Sequence, residues 1–213
     1  MTTIRSGHAA RGSAAVGLGS RKKRKTRESI QSEAIRLFQE QGYDETTVEQ
    51  IANAAEISPS TFFNYFPSKE DVVLYDAYDP VIAALLSQRP SDEPFSVALR
   101  AVLEAMGEVF ERDREMILVR ARLWMRVPAL RARLWEELEK AQDFMTGVIA
   151  QRSGRRADDF EVRVSVMVLL MAAMEAMREW VRHDGQGSFV KVVNRALDLV
   201  DAGARLDAIS RPS

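Results

Sequence analysis

Between Ser58 and Phe66 the chain sets Ser60, Thr61, Asn64 and Tyr65 among Phe62, Phe63 and Phe66, so that hydroxyl, amide and phenol groups recur beside large rings. Each of those polar groups both donates and accepts hydrogen bonds, the chemistry that reads base-pair edges in a major groove. Five consecutive cations, Arg21, Lys22, Lys23, Arg24 and Lys25, have the chemistry of a phosphate-binding arm. Other chemistries lack their parts. The absence of cysteine removes disulfides, thiolate metal sites and thiol nucleophiles. Two histidines, His8 and His183, leave zinc sites and Ser-His-Asp relays hard to assemble, and His183 reads as a cation at a helix C-terminus. Glu104, Glu108 and Glu175 would be the acids of a rival all-helical carboxylate enzyme. That reading rests on acid count alone, since no phosphate-binding glycine loop, metal-ligand spacing or nucleophile arrangement accompanies them; neither a metal nor a cofactor is expected.

The elements that would position these groups are all helical. Thr26 can cap a helix whose apolar positions Ile30, Ala34, Ile35, Leu37 and Phe38 keep helical spacing until Gly42. Thr46-Thr47 caps a short second helix with Val48, Ile51, Ala52 and Ala55 inside, and Glu56-Ile57 makes a turn. Ser58-Pro59 supplies a cap followed by proline at the first helical position, so a third helix carries residues 59–66 until Pro67. Ser68 caps a fourth, expected to run to Ser87. Helix, turn and helix between Thr46 and Tyr65 make a helix-turn-helix, with Thr47, Ser58 and Lys69 adding phosphate donors at the helix starts. Beyond the loop at 88–94, helical periodicity continues over 95–110, 114–125, 129–151, 158–183 and 188–206, and no segment reads as a strand.

The net charge of −1 hides an asymmetry. Residues 1–27 hold eight basic groups and no acid, residues 28–76 hold ten acids against Arg36 and Lys69, and the remainder is near balance. A helix-turn-helix with that deficit must draw its attraction to DNA from the arm, Lys69 and helix termini. Arg21 to Lys25 are therefore expected to reach along the backbone or into the minor groove. No apolar stretch is long enough for a membrane span or arranged as a secretion signal, so a cytoplasmic location is expected. The expected organisation is all-α: a disordered basic arm at 1–22, a DNA-binding domain at 23–83, a ligand-binding and dimerisation domain at 84–208, and a tail at 209–213.

The run Thr47–Ala55 followed by residues 57–70, Ile-Ser-Pro-Ser-Thr-Phe-Phe-Asn-Tyr-Phe-Pro-Ser-Lys-Glu, resembles the TetR family of transcriptional regulators over residues 23–83. The resemblance implies that Thr47, Ser60, Thr61, Phe63, Asn64, Tyr65 and Lys69 face DNA. Phe63 departs from the tyrosine usual at its position, and the recognition helix holds no arginine or lysine. It further implies a homodimer on a palindromic operator, released by a small-molecule effector. Residues 72–80 with 123–133 look like a branch of the family associated with acyl-CoA-like ligands.

In the second domain, Met106, Phe110, Leu123, Trp124, Trp135, Phe144, Met171 and Met174 are expected to line an adaptable apolar cavity, with Arg120 anchoring an anionic head group. A helix apolar almost all round from Val164 to Met177 needs burial on two sides. Val166, Leu170 and Met177 there, with Phe189, Val193, Leu197 and Val200 on the last helix, are the expected dimer interface, a four-helix bundle with a second subunit. A helical scaffold using that apolar helix for hetero-association is the second rival; homodimerisation separates the two.

Overall fold

The structure, a computed structural model, describes residues 9–203. The expected tail at 209–213, His8 and the first eight residues of the arm lie outside the described residues. Among the described residues all regular structure is helical, in the order α1 (Ala9–Gln41), α2 (Val48–Ala54), α3 (Pro59–Tyr65), α4 (Lys69–Leu74), α5 (Asp79–Ser87), α6 (Phe95–Ala105), α7 (Gly107–Arg112), α8 (Arg114–Arg126), α9 (Pro128–Ala132), α10 (Leu134–Ser153), α11 (Phe160–Arg182) and α12 (Phe189–Asp201). The chain divides into two compact units at Val73 and Leu74, where the sequence reading set a boundary at 83. α1 takes in residues 9–22, which composition alone assigns to the arm.

The first unit is built on local signals. The α1 stripe Ile30, Ala34, Ile35 and Phe38 is buried, as are Ile51, Ala52, Phe62, Phe66 and Val72 of the same unit. The Gln31 amide, also buried, donates to the Val72 carbonyl at 2.8 Å and joins α1 to α4. α1 stops where Gly42 takes φ +92, a conformation that costs glycine least. Thr47 closes a capping box: its hydroxyl accepts from the Gln50 amide N–H, while Gln50 Oε1 accepts from the Thr47 N–H. Ile57 N–H donates to Ala52 O and Glu56 N–H to Asn53 O, a Schellman ending that forces Glu56 to φ +55.

The second unit departs from the sequence reading mainly at helix breaks. The expected helix from Ser68 to Ser87 is two helices, because Pro80 opens α5 and Asp76 Oδ1 accepts from the Tyr78 N–H at 2.7 Å, a side-chain turn that replaces the helical bond. One-residue interruptions at Met106 and Arg133 likewise divide two other expected helices. The core gathers Leu86, Ala98, Val102, Met106, Ile117 and Trp180. Rings pack in series through it, Tyr78 on Phe110 at 5.4 Å, Phe110 on Phe189 at 5.7 Å and Phe189 on Trp180 at 5.4 Å. Arg152, its side chain 8% exposed, pins the α5–α6 loop: the guanidinium donates to the carbonyls of Leu86, Arg89, Pro90 and Glu93.

Candidate DNA-binding surface and effector cavity

α3 is two-faced. Phe62 is fully buried and Phe66 nearly so, with rings 6.0 Å apart, while Phe63 is 52% exposed and Ser60 and Asn64 are also exposed. Ser58 accepts from the Thr61 N–H at 3.1 Å and shares hydroxyl bonds with Ser60 and Thr61 at 2.9 and 2.8 Å, so the start of the helix is a linked set of hydroxyls. Thr61 and Tyr65 are half-buried, and the Tyr65 carbonyl accepts from Arg27 Nη2 at 3.3 Å. Arg27, counted in the sequence only among the basic groups of residues 1–27, also lies 5.6 Å above the Phe66 ring and so braces the end of α3. Thr47 stands exposed at the start of α2. Lys69 is placed otherwise than a pure phosphate anchor: Nζ donates to the carbonyls of Tyr43 at 2.7 Å and Thr46 at 3.0 Å and sits 4.2 Å from the Tyr43 ring centre. Lys22, Lys23, Arg24 and Lys25 are exposed along α1, where Arg24 pairs loosely with Glu28 at 3.5 Å. The Arg21 side chain lies outside the described residues.

In the second unit a cavity of about 310 Å³ brings together four residues expected to bind ligand, Phe110, Arg120, Trp124 and Met174. A second cavity of about 150 Å³ adjoins it; Asp79, Ile82, Leu103, Ala173 and Val193 line both. The other ligand candidates do not line either. Met106 is core, Leu123 and Met171 are half-buried elsewhere, and Trp135 is 64% exposed with Nε1 donating to Glu139 at 3.0 Å. Phe144, 41% exposed, edges a separate surface groove. Periodicity marks a residue as apolar-facing but leaves open which neighbour it faces.

Seven residues were expected at the dimer interface: Val166, Leu170, Met177, Phe189, Val193, Leu197 and Val200. Val166, Val193 and Leu197 are buried within one chain, and Met177, Phe189 and Val193 also line the first cavity. Val166, Leu170 and Leu197 line the second cavity. Of the expected set Leu197 and Val200 border an outer groove, beside Val164 and Val168, which are 44% and 43% exposed.

Two groups that the sequence reading missed give the cavity its polarity. Asp79 lies on the shared wall, and its burial, reinforced by the Asp76 carboxylate, pushes it up to about 6 despite the opposing Arg120. Tyr78 donates to Asp113 Oδ2 at 3.1 Å, and burial together with that carboxylate raises its pKa well above the phenolic range. The signal was a pair of acids, Asp76 and Asp79, just ahead of Pro80 in an otherwise apolar run. Glu104, Glu108 and Glu175 are exposed; Glu104 accepts from Asn194 at 2.8 Å and Glu175 pairs with Arg178. Among the described residues no group of His, Asp or Glu side chains could hold a metal ion, and no helix is long and apolar enough to cross a membrane.

A helix-turn-helix with an outward polar face and a separate unit enclosing an apolar cavity define a ligand-responsive DNA-binding repressor. Residues 30–75 match the family described as bacterial regulatory proteins of the tetR family, and residues 92–205 match the MftR C-terminal domain; the chain belongs to the TetR family of transcriptional regulators. It is 40% identical over 173 residues to the HTH-type transcriptional regulator TcmR of Streptomyces glaucescens, covering 77% of this chain and 76% of that one. A mycofactocin biosynthesis regulator, MftR of Mycobacterium tuberculosis, is 29% identical over 86% of this chain and 93% of its own. Among solved structures, Thermus thermophilus FadR in complex with lauroyl-CoA superposes with a TM-score of 0.54 at 25% identity, covering 88% and 98% of the two chains. Members of the family bind DNA as dimers and answer to small molecules.

Proposed function

We propose that α3 enters the major groove, with Ser60, Thr61, Phe63, Asn64 and Tyr65 meeting base edges and Thr47, Ser58 and the remaining donor of Lys69 meeting phosphates. The observation that carries this reading is the contrast along α3, where Phe62 is wholly buried while Phe63, Ser60 and Asn64 next to it face outward. Arg21 to Lys25 supply the sequence-independent attraction that residues 28–76, with ten acids against two cations, lack. A second copy of the chain covers the Val164 and Val168 side of α11, which sets two recognition helices on a palindrome. Replacing Asn64 and Tyr65 by alanine tests the base contacts in a fluorescence-anisotropy titration of the cognate promoter against random duplex. The double variant is expected to lose about 2–4 kcal/mol of discrimination while keeping non-specific binding; discrimination equal to the parent's refutes the assignment.

The effector is proposed to be an acyl-CoA-like molecule whose tail fills the two adjoining cavities. Their apolar walls and the lauroyl-CoA held by the similar Thermus protein support this. Release from DNA requires that the effector bind the DNA-free conformation better, because equal affinity for both shifts nothing. Thermal shift with lauroyl-CoA against hydrophobic cations tests the class. Ligand at a hundred times its Kd stabilises by about 2.7 kcal/mol; stabilisation by cations alone discards the acyl-CoA reading.

A further inference from the structure

Beside the first cavity lies a groove of about 600 Å³ into which five arginines from three helices converge: Arg122 and Arg126 of α8, Arg131 of α9, and Arg178 and Arg182 of α11. Three are neutralised by neighbours, Arg122 by Asp184 at 2.7 Å, Arg182 by Glu179 at 2.8 Å, and Arg178 by Glu175. Arg126 and Arg131 are exposed and have no ion-pair partner among the described residues, so the groove keeps an excess of two positive charges. The chain brings them to one place by the break at Val127, whose extended backbone and the following Pro128 turn α9 off the end of α8. Trp124 is the common wall: it lines the arginine groove on one side and the apolar cavity on the other.

We infer that this groove holds the phosphorylated head of an amphipathic effector, with Arg126 and Arg131 as its anchors and the apolar tail running past Trp124 into the cavity. The inference rests on the acyl-CoA reading of the cavity and assigns to it a head-group site. The cavity's own polar wall argues for the same division. Asp76 and Asp79 outnumber Arg120 there, so the phosphates are repelled from the interior and the uncompensated guanidiniums lie outside it. Guanidinium forks match phosphate oxygens in charge and geometry, and neither arginine has a carboxylate to give up on binding. A plainer role exists, since Arg126 and Arg131 occupy the last turns of α8 and α9, where a cation favours the helix dipole. That role stabilises the helices without selecting a ligand, and the experiment separates the two.

The full-length protein and its Arg126→Gln/Arg131→Gln variant are titrated with lauroyl-CoA, free CoA and laurate by calorimetry, across a salt series, with operator affinity and thermal stability measured alongside. The parent is expected to bind lauroyl-CoA more tightly than laurate. The variant should lose about tenfold or more in lauroyl-CoA affinity, with a flatter salt dependence, and bind laurate as the parent does. A variant that melts lower yet binds lauroyl-CoA unchanged overturns the head-group site in favour of the helix-end role, and leaves the acyl-CoA reading standing. Loss of operator affinity without effector assigns the arginines to DNA and overturns the site as well. No binding of lauroyl-CoA to the parent overturns both readings together.

Discussion

Asp79 gives a quantitative handle on the cavity. Its carboxyl moves from an ordinary 3.8 to about 6. About two pKa units correspond to roughly 3 kcal/mol of preference for the neutral form, which we trim to about 2 because the group is not sealed from solvent. The sign follows from linkage. The folded-state value is raised, so the stability tied to this group is fully present below about pH 4, falls as the pH climbs through 6, and is gone above. Asp79→Asn removes the ionisation while keeping the shape, and leaves Arg120 with Asp76 as the remaining acid on that wall. The variant should therefore be more stable at pH 8 by about 2 kcal/mol, a rise in Tm of about 4–8 °C for a chain of this size. At pH 4 the gain should shrink to the order of 0.5 kcal/mol. Circular-dichroism melts of both proteins at the two pH values decide it. An equal shift at both, or a less stable variant at pH 8, would show that burial of the charge is not what raises this group, and the reasoning would fail.

Three further outcomes are expected. Arg152→Ala strips four loop carbonyls of a buried, charged donor and should cost about 3 kcal/mol by urea denaturation; a loss under about 1 kcal/mol would mean that the α5–α6 loop is held by other contacts. Glu56→Gly relieves a left-handed backbone and should stabilise by about 0.5–1 kcal/mol despite the added freedom of the unfolded chain, with destabilisation as the contrary result. Deleting residues 1–25 should weaken operator binding at least tenfold and lower the log–log salt slope by up to about 4.5, about 0.9 for each phosphate that the five cations from Arg21 to Lys25 neutralise; unchanged affinity would refute the arm's role.

Local chemistry was readable from the residues, and partner choice was not. Thr47, Ser58-Pro59 and Gly42 announce helix ends because a cap is satisfied within three or four residues, and all three ends fall where the sequence places them. Phe62 and Phe66, one helical turn apart, likewise identify the buried side of α3. Val193 and Leu197 carry an equally regular signal, yet the pattern states only that a side is covered. Whether α11 of the same chain or a second subunit covers it is a tertiary fact. Lys69 shows the complementary limit: a cation at a helix start reads as a phosphate anchor, and only the approach of the Tyr43 and Thr46 carbonyls shows how much of it is already used. Asp79 was hidden because acids in an apolar run read as a solvated face until the cavity beside them is known.

The three tryptophans occupy three different surroundings: Trp180 sealed in the core with its indole N–H on the Gly187 carbonyl, Trp135 in water, and Trp124 in the partition between groove and cavity. Emission from the first two should stay constant during a titration, leaving Trp124 as the fluorophore whose quenching or blue shift records effector arrival. The repressor thus carries its own optical reporter, and occupancy can be followed without a dye.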